Sequence, residues 1–232
     1  LKIKTILLIG IMFLLAACGS TRITSEIYLL DIDELTDNDG MTTKVLIGLP
    51  ITSQDECTES KQRYEGVFRK STGFKGMEFV RCYESGYDNF AEYELEVPIR
   101  MVDPYQTSMQ GTFEIIRHDD SASNTRNLYI RSNPKALCNL DKLIRDEFYQ
   151  SLDLSEVSLP ILVSNDLRQP QTLILSQVFV NGSPVTEPTE VVLERRDTLR
   201  IILSDVTSAW VFSKSCNIAS RTALVATWAS AE

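Results

Sequence analysis

Between residues 90 and 102 the chain alternates with a period of two. Tyr93, Leu95, Val97, Ile99 and Met101 are apolar, and Glu92, Glu94, Glu96, Pro98 and Arg100 stand among them. Successive side chains of a strand point to opposite faces, so this pattern fits a half-buried strand. Such a strand needs neighbours to pair with and a second layer to cover its apolar side. Pro98 has no amide hydrogen for a ladder, which places it at a sheet edge or near a bulge. The three glutamates read as a solvated row whose like charge discourages edge-to-edge association.

Other stretches extend the sheet. Strands are expected at residues 23–30, 44–49, 77–83, 111–117, 128–131, 172–180, 190–193, 199–203, 210–212 and 222–228, with a restart at Val185. Asn181-Gly182 is a hairpin dipeptide, because both residues tolerate positive φ. Two helices stand out. Ser53-Gln54-Asp55-Glu56 has capping-box spacing before a stripe of Cys57, Tyr64, Val67 and Phe68. Asn133-Pro134 supplies a cap and a first-turn proline before Leu137, Leu140, Ile144 and Phe148. Ile32 and Leu35 read as the buried face of one further helical turn. These signals predict an α+β fold, mainly antiparallel sheet with two principal helices, divisible into two small α/β-type subdomains. The expected organisation is 23–150 as an N-terminal α+β region, 151–170 as a crossing segment or boundary, and 171–232 as a C-terminal β-rich region.

Residues 1–20 have a different character. Lys2 and Lys4 precede an apolar run over residues 5–15, and small residues then lead to Cys18. A positive end, a short hydrophobic core and a small-residue processing site are the parts of a signal peptide. The core falls short of the roughly 20 apolar residues that a bilayer span needs. Leu15-Ala16-Ala17-Cys18 resembles the processing motif of bacterial lipoprotein precursors. That resemblance implies a signal peptide over 1–17, cleavage after Ala17, and a thioether-linked diacylglyceryl group on Cys18, with a further acyl chain such as palmitate. Two or more acyl chains give stable anchoring where one does not. Residues 18–22 would then form the lipidated cysteine and a short tether. Gly19, rather than Asp, resembles the outer-membrane sorting class, so the expected location is the cell envelope, at the outer membrane facing the periplasm.

Removing residues 1–17 takes away two lysines and no acid, which moves the net charge from −9 to −11. So acidic a chain is a poor match for nucleic acid, whose phosphates demand a basic surface. Anionic lipid is no better a partner, so the lipid on Cys18 must supply the membrane attachment, and an envelope protein is the remaining candidate partner. Cys57, Cys82, Cys138 and Cys216 remain, an even number in an exported chain. That suggests two disulfides, for which three pairings exist. Cys57–Cys82 with Cys138–Cys216 is preferred. The first is short-range and leaves the second to tie a central helix to the C-terminal sheet. Spacings of 25, 56 and 78 residues contain no close pair of the zinc-binding kind.

Chemistry-bearing residues are sparse. Residues 31–40 hold four aspartates and a glutamate, but no distal glutamate completes an EF-hand register. His118 is the single histidine, beside Asp119 and Asp120 in an expected polar loop, with no second histidine to complete a common zinc set. Trp210, Phe212 and Trp228 read either as core or as a cluster of binding aromatics. Glu92, Glu94, Glu96, Asp119 and Asp120 are the residues a carboxylate-based hydrolase of the envelope would use, provided that two of them converge in a cleft. No catalytic, cofactor-binding or metal-binding residue is assigned. The stretch from Cys18 to Leu35, CGSTRITSEIYLLDIDEL, resembles an uncharacterised group of lipoproteins from Gram-negative bacteria and their phages. The resemblance covers about the first third of the chain and implies a membrane-proximal strand followed by a short acidic helical turn. The leading expectation is a non-enzymatic accessory or interaction module anchored in the envelope.

Overall fold

The computed structural model describes residues 22–36, 40–71, 74, 76–106, 108–109, 111–149, 151 and 160–229. Cys18 and the expected signal peptide lie outside these residues. The fold is a mixed α+β arrangement dominated by one large, mostly antiparallel sheet. In the first half, β1 (Arg22–Tyr28) leads into α1 (Leu29–Asp33), and β2 (Met41–Ile51) precedes α2 (Cys57–Lys70). Next come β3 (Glu78–Ser85), β4 (Asp88–Met101), β5 (Phe113–Asp120), β6 (Thr125–Ser132) and α3 (Pro134–Phe148). The second half holds β7 (Pro160–Ser164), β8 (Gln171–Leu175), β9 (Val178–Val180), β10 (Ser183–Val185), β11 (Thr189–Leu193) and β12 (Thr198–Leu203). It ends with α4 (Asp205–Val211) and β13 (Arg221–Ala229).

Hydrogen bonding runs β10-β9-β12-β7-β1-β2-β4-β5-β6-β13-β8-β11, with β3 added on β4. Among the described residues two pairings are parallel, β1 with β7 and β4 with β5. Strands from both halves therefore share one hydrogen-bonded path. β8 and β9 stand near opposite ends of that path, yet only Ser176 and Gln177 separate them. The sheet must consequently curve back on itself. Leu173, Leu175, Val178, Leu193, Leu199, Ile201 and Leu203 are buried within that curve. Asn165 closes its upper end, where its buried amide donates to Leu193 O at 2.8 Å and Gln169 O at 3.0 Å.

β4 forms as the alternation predicts. Tyr93, Leu95, Val97 and Ile99 are buried, and the strand lies between β2 on one side and β3 then β5 on the other. Pro98 falls in the gap where β3 has ended, at Glu94, and β5 has yet to begin, at Ile99. On that side its missing donor leaves no ladder bond unmade, while on the other side it lies opposite Thr42 of β2. A side chain on Gly111 would press on the Phe113 carbonyl at 3.1 Å and the Pro98 ring at 3.6 Å, so the loop closes here on a residue without Cβ.

The two long helices pack together on the sheet. Tyr64 of α2 stacks on Phe148 of α3 at 4.3 Å, and the Tyr93 ring meets Phe68 edge-on at 5.2 Å. Asn133 caps α3 through its side-chain oxygen, which accepts from Ala136 N at 3.1 Å. The Ser53–Glu56 pattern does not cap α2. The helix starts at Cys57, whose amide donates to Gln54 O at 3.1 Å in a preceding turn. The disulfide from that first helical residue to Cys82 holds the start against β3. A second difference concerns residues 210–212, expected as strand and found at the end of α4. Ser204 caps that helix by accepting from Thr207 N at 3.3 Å, and a short apolar run suits either structure. Both disulfides follow the preferred pairing. Cys57–Cys82 spans 6.2 Å between Cα atoms, and Cys138–Cys216 spans 5.5 Å, joining α3 to the segment between α4 and β13. Among the described residues, no helix is long and apolar enough to cross a membrane.

Candidate functional site

The carboxylates singled out by sequence are dispersed among structural partners. Glu92 is buried against β3, where it accepts from Arg81 Nε at 2.8 Å. Glu94 pairs with Lys44 of β2 at 2.6 Å, and Glu96 lies directly across from Lys44 in the ladder. The expected solvated row therefore exists at Glu96 but not at Glu92, because β3 adds a strand and a cation beside it. Asp119 and Asp120 sit at the end of β5, a strand extending three residues beyond its expected end at Arg117. Asp119 accepts from Arg117 Nε at 2.7 Å. Asp120 folds back on its own turn and accepts from Ser123 Oγ at 2.8 Å and Ala122 N at 2.9 Å. The Ser123 hydroxyl, then the Ala122 amide, hold its carboxyl below the ordinary range. His118 lies on the strand opposite Asn127. Among the described residues, no three His, Cys, Asp or Glu side chains gather as a metal site would require.

The acidic stretch after β1 is held by arginines that sequence inspection passed over. Arg117 is 4% exposed, and its Nη1 donates to Ile32 O at 2.7 Å, Asp33 O at 3.0 Å and Leu35 O at 3.3 Å. A guanidinium so placed satisfies the last carbonyls of α1 and opposes the negative end of its dipole. Arg126 adds an ion pair to Asp33 at 2.6 Å. Asp31, partly buried and facing the charge of Asp166, has its carboxyl raised, by burial first and by that charge second. Residues 37–39, where a calcium loop would continue, lie outside the described residues. The available signal for Arg117 was an arginine ending an apolar strand, Phe113-Glu114-Ile115-Ile116-Arg117. Glu114 and Arg131 were missed for the same reason. They form an ion pair at 2.6 Å with neither side chain exposed.

Of the three aromatics considered together, Phe212 and Trp228 are core residues, whereas Trp210 is 54% exposed. Trp210 borders an open groove of about 500 Å³ between α4, β13 and the end of β8. Val206, Leu224 and Ile174 contribute its other exposed large apolar side chains, beside buried Val225. The groove exists because β13 pairs with β8 only at Thr227 and Trp228, leaving the first half of β13 uncovered on that side. Arg221 lies against the Trp210 ring at 4.4 Å and donates to Trp210 O at 2.9 Å, which fixes the ring at the groove wall. The surface is open and largely apolar, and among the described residues no carboxylate or histidine lines it. A second cleft, between α2 and β3, is lined by charged and aromatic groups, with Lys61 over the Phe79 ring at 4.7 Å.

The chain belongs to the family described as a domain of unknown function, DUF7424, whose model matches residues 21–220. No curated protein and no solved structure matches it.

Proposed function

We propose that this chain is an exported lipoprotein of the bacterial envelope, anchored through acyl groups on Cys18 at the outer membrane and facing the periplasm. It acts there as a non-enzymatic accessory or interaction module. The observation that carries the reading is the disulfide pair. The four cysteines left after Cys18 join across separations of 25 and 78 residues, and bonds of that kind persist in oxidising compartments outside the cytosol. The signal-like residues 1–17 and the motif Leu15-Ala16-Ala17-Cys18 support the same location.

Two further features favour contact over catalysis. Four of the five carboxylates a hydrolase would draw upon are committed to cations or to a local turn, Glu92 and Glu94 on β4 and Asp119 and Asp120 on β5, and Glu96 is exposed on its strand. The open groove beside Trp210 offers apolar surface, the usual mark of a contact site for protein or for membrane. Its partners are membrane lipid through the anchor and an envelope protein through an exposed face, while the net charge disfavours nucleic acid.

Crosslinking in intact envelopes, followed by identification of the captured proteins, tests the module reading. A reproducible partner above the background of abundant neighbours is expected. Recovery of random neighbours alone, together with turnover of an envelope glycan or lipid by the purified protein, would reject it. Anchoring is tested separately: Cys18→Ala should accumulate as unprocessed precursor, and normal processing of that variant would remove the lipoprotein reading.

A further inference from the structure

We propose that the α4 end of the sheet lies against the leaflet that holds the acyl groups on Cys18, with Val206 and Trp210 seated among zwitterionic lipid headgroups. This rests on the anchored reading above, and it adds an orientation and a lipid-contact surface. The argument begins with register. β7 runs parallel to β1 with Ser25 opposite Ile161, which sets Pro160 level with Thr24. β12 runs antiparallel to β7 with Ile202 opposite Pro160. β12 therefore leaves the sheet beside the beginning of β1, two strand spacings or about 10 Å across. α4 starts at Asp205, two residues after β12 ends.

Cys18 precedes Arg22 by four residues, so even fully extended the chain between them reaches about 14 Å. The lipid attachment point is thus confined to the end of the sheet that carries α4. That end carries exposed apolar side chains. Val206 is 82% exposed and Trp210 54%, although Ser208 and Val211 of the same helix are buried. Val206 and Trp210 are four residues apart, so they share one outward face of the helix. Leu224 and Ile174 extend the patch across the groove. Tryptophan is favoured at the membrane–water boundary, where its ring meets acyl chains and its N–H meets headgroups. Arg221, under the Trp210 ring, brings a cation to the depth of the lipid phosphate. The acidic net charge gives no general attraction to anionic lipid, so the contact depends on this apolar face and on the nearby anchor.

The test uses the native lipidated protein in phosphatidylcholine vesicles made with and without brominated acyl chains. Trp228 is buried, so emission removed by Trp210→Phe reports the patch. Brominated vesicles should quench that component, and aqueous iodide should quench it at least twofold less than in detergent-free protein trimmed of its lipidated tether. Val206→Glu, at a side chain already in water, should restore iodide access without altering the fold. If vesicles carry the protein on flotation while the Trp210 component stays open to iodide and untouched by bromine, the anchor stands and the orientation is refuted. Protein that fails to float, with no acyl mass on Cys18, refutes the anchored reading and this proposal with it.

Discussion

Replacing Arg131 with methionine should be among the most damaging single changes in the molecule. Its guanidinium is fully buried, donates from Nη2 to Glu114 Oε2 at 2.6 Å and to Ser108 O at 3.0 Å, and donates from Nη1 to Gln106 O. It therefore neutralises a buried carboxylate and ties the loop between β4 and β5 to β6. Removing one member of a buried pair costs about 3–5 kcal/mol, because the other charge keeps its desolvation penalty. Arg100, 3.9 Å from Glu114 Oε1, offsets part of that loss. Loss of two charge-assisted bonds to loop carbonyls acts in the opposite direction, so the expectation for Arg131→Met stays within about 3–5 kcal/mol. Glu114→Gln in that background removes the stranded charge and should recover about 1–2 kcal/mol. Urea unfolding under oxidising conditions, followed by the emission of buried Trp228, measures both. An Arg131→Met variant within about 1 kcal/mol of the parent, or a double variant no better than the single, would refute the reasoning.

Opening Cys138–Cys216 by a double alanine substitution should cost about 4.5 kcal/mol, and opening Cys57–Cys82 about 3.5, because the closed loops span 78 and 25 residues; urea midpoints in the reverse order would contradict the loop-entropy account. Asn133→Ala should lower stability by about 1 kcal/mol in thermal melts while Asn133→Ser stays near the parent, since a hydroxyl can still accept from Ala136 N. Burial raises the phenols of Tyr64 and Tyr93 well above their ordinary range, so the folded state favours their neutral form. The unfolded chain ionises near pH 10, so this contribution is intact below that pH and is lost as pH rises beyond it. Tyrosinate absorbance should show these two rings ionising only with unfolding, and early titration of all the tyrosines would contradict their burial.

Much of the secondary structure could be read locally. The alternation over β4 marks which residues face the core, Asn133-Pro134 marks the start of α3, and Asn181-Gly182 marks a hairpin whose residues take φ of 49° and 87°. The disulfide pairing was legible because cysteine count and element order narrowed the choices. What escaped depended on distant partners. Residues 210–212 are apolar enough for a strand, and the cap that starts the helix, Ser204 accepting from Thr207 N, lies upstream of that run. The parallel pairings β1–β7 and β4–β5 join segments with no shared local signal. Glu114, Arg117 and Arg131 looked like the polar positions of half-buried strands, yet each is buried because its charge is met by groups from other elements. At the groove, Trp210 was legible as a candidate aromatic, but its exposure depends on β8 stopping short of the first half of β13.

Intact mass measurement of the protein taken directly from bacterial envelopes tests the central claim, that this is an exported, lipid-anchored, disulfide-bonded module. The account predicts a chain beginning at Cys18, carrying acyl mass on that residue and lacking four hydrogen atoms relative to the fully reduced form. A chain that retains residues 1–17 without added lipid, or one whose Cys57, Cys82, Cys138 and Cys216 are all free thiols, would contradict it.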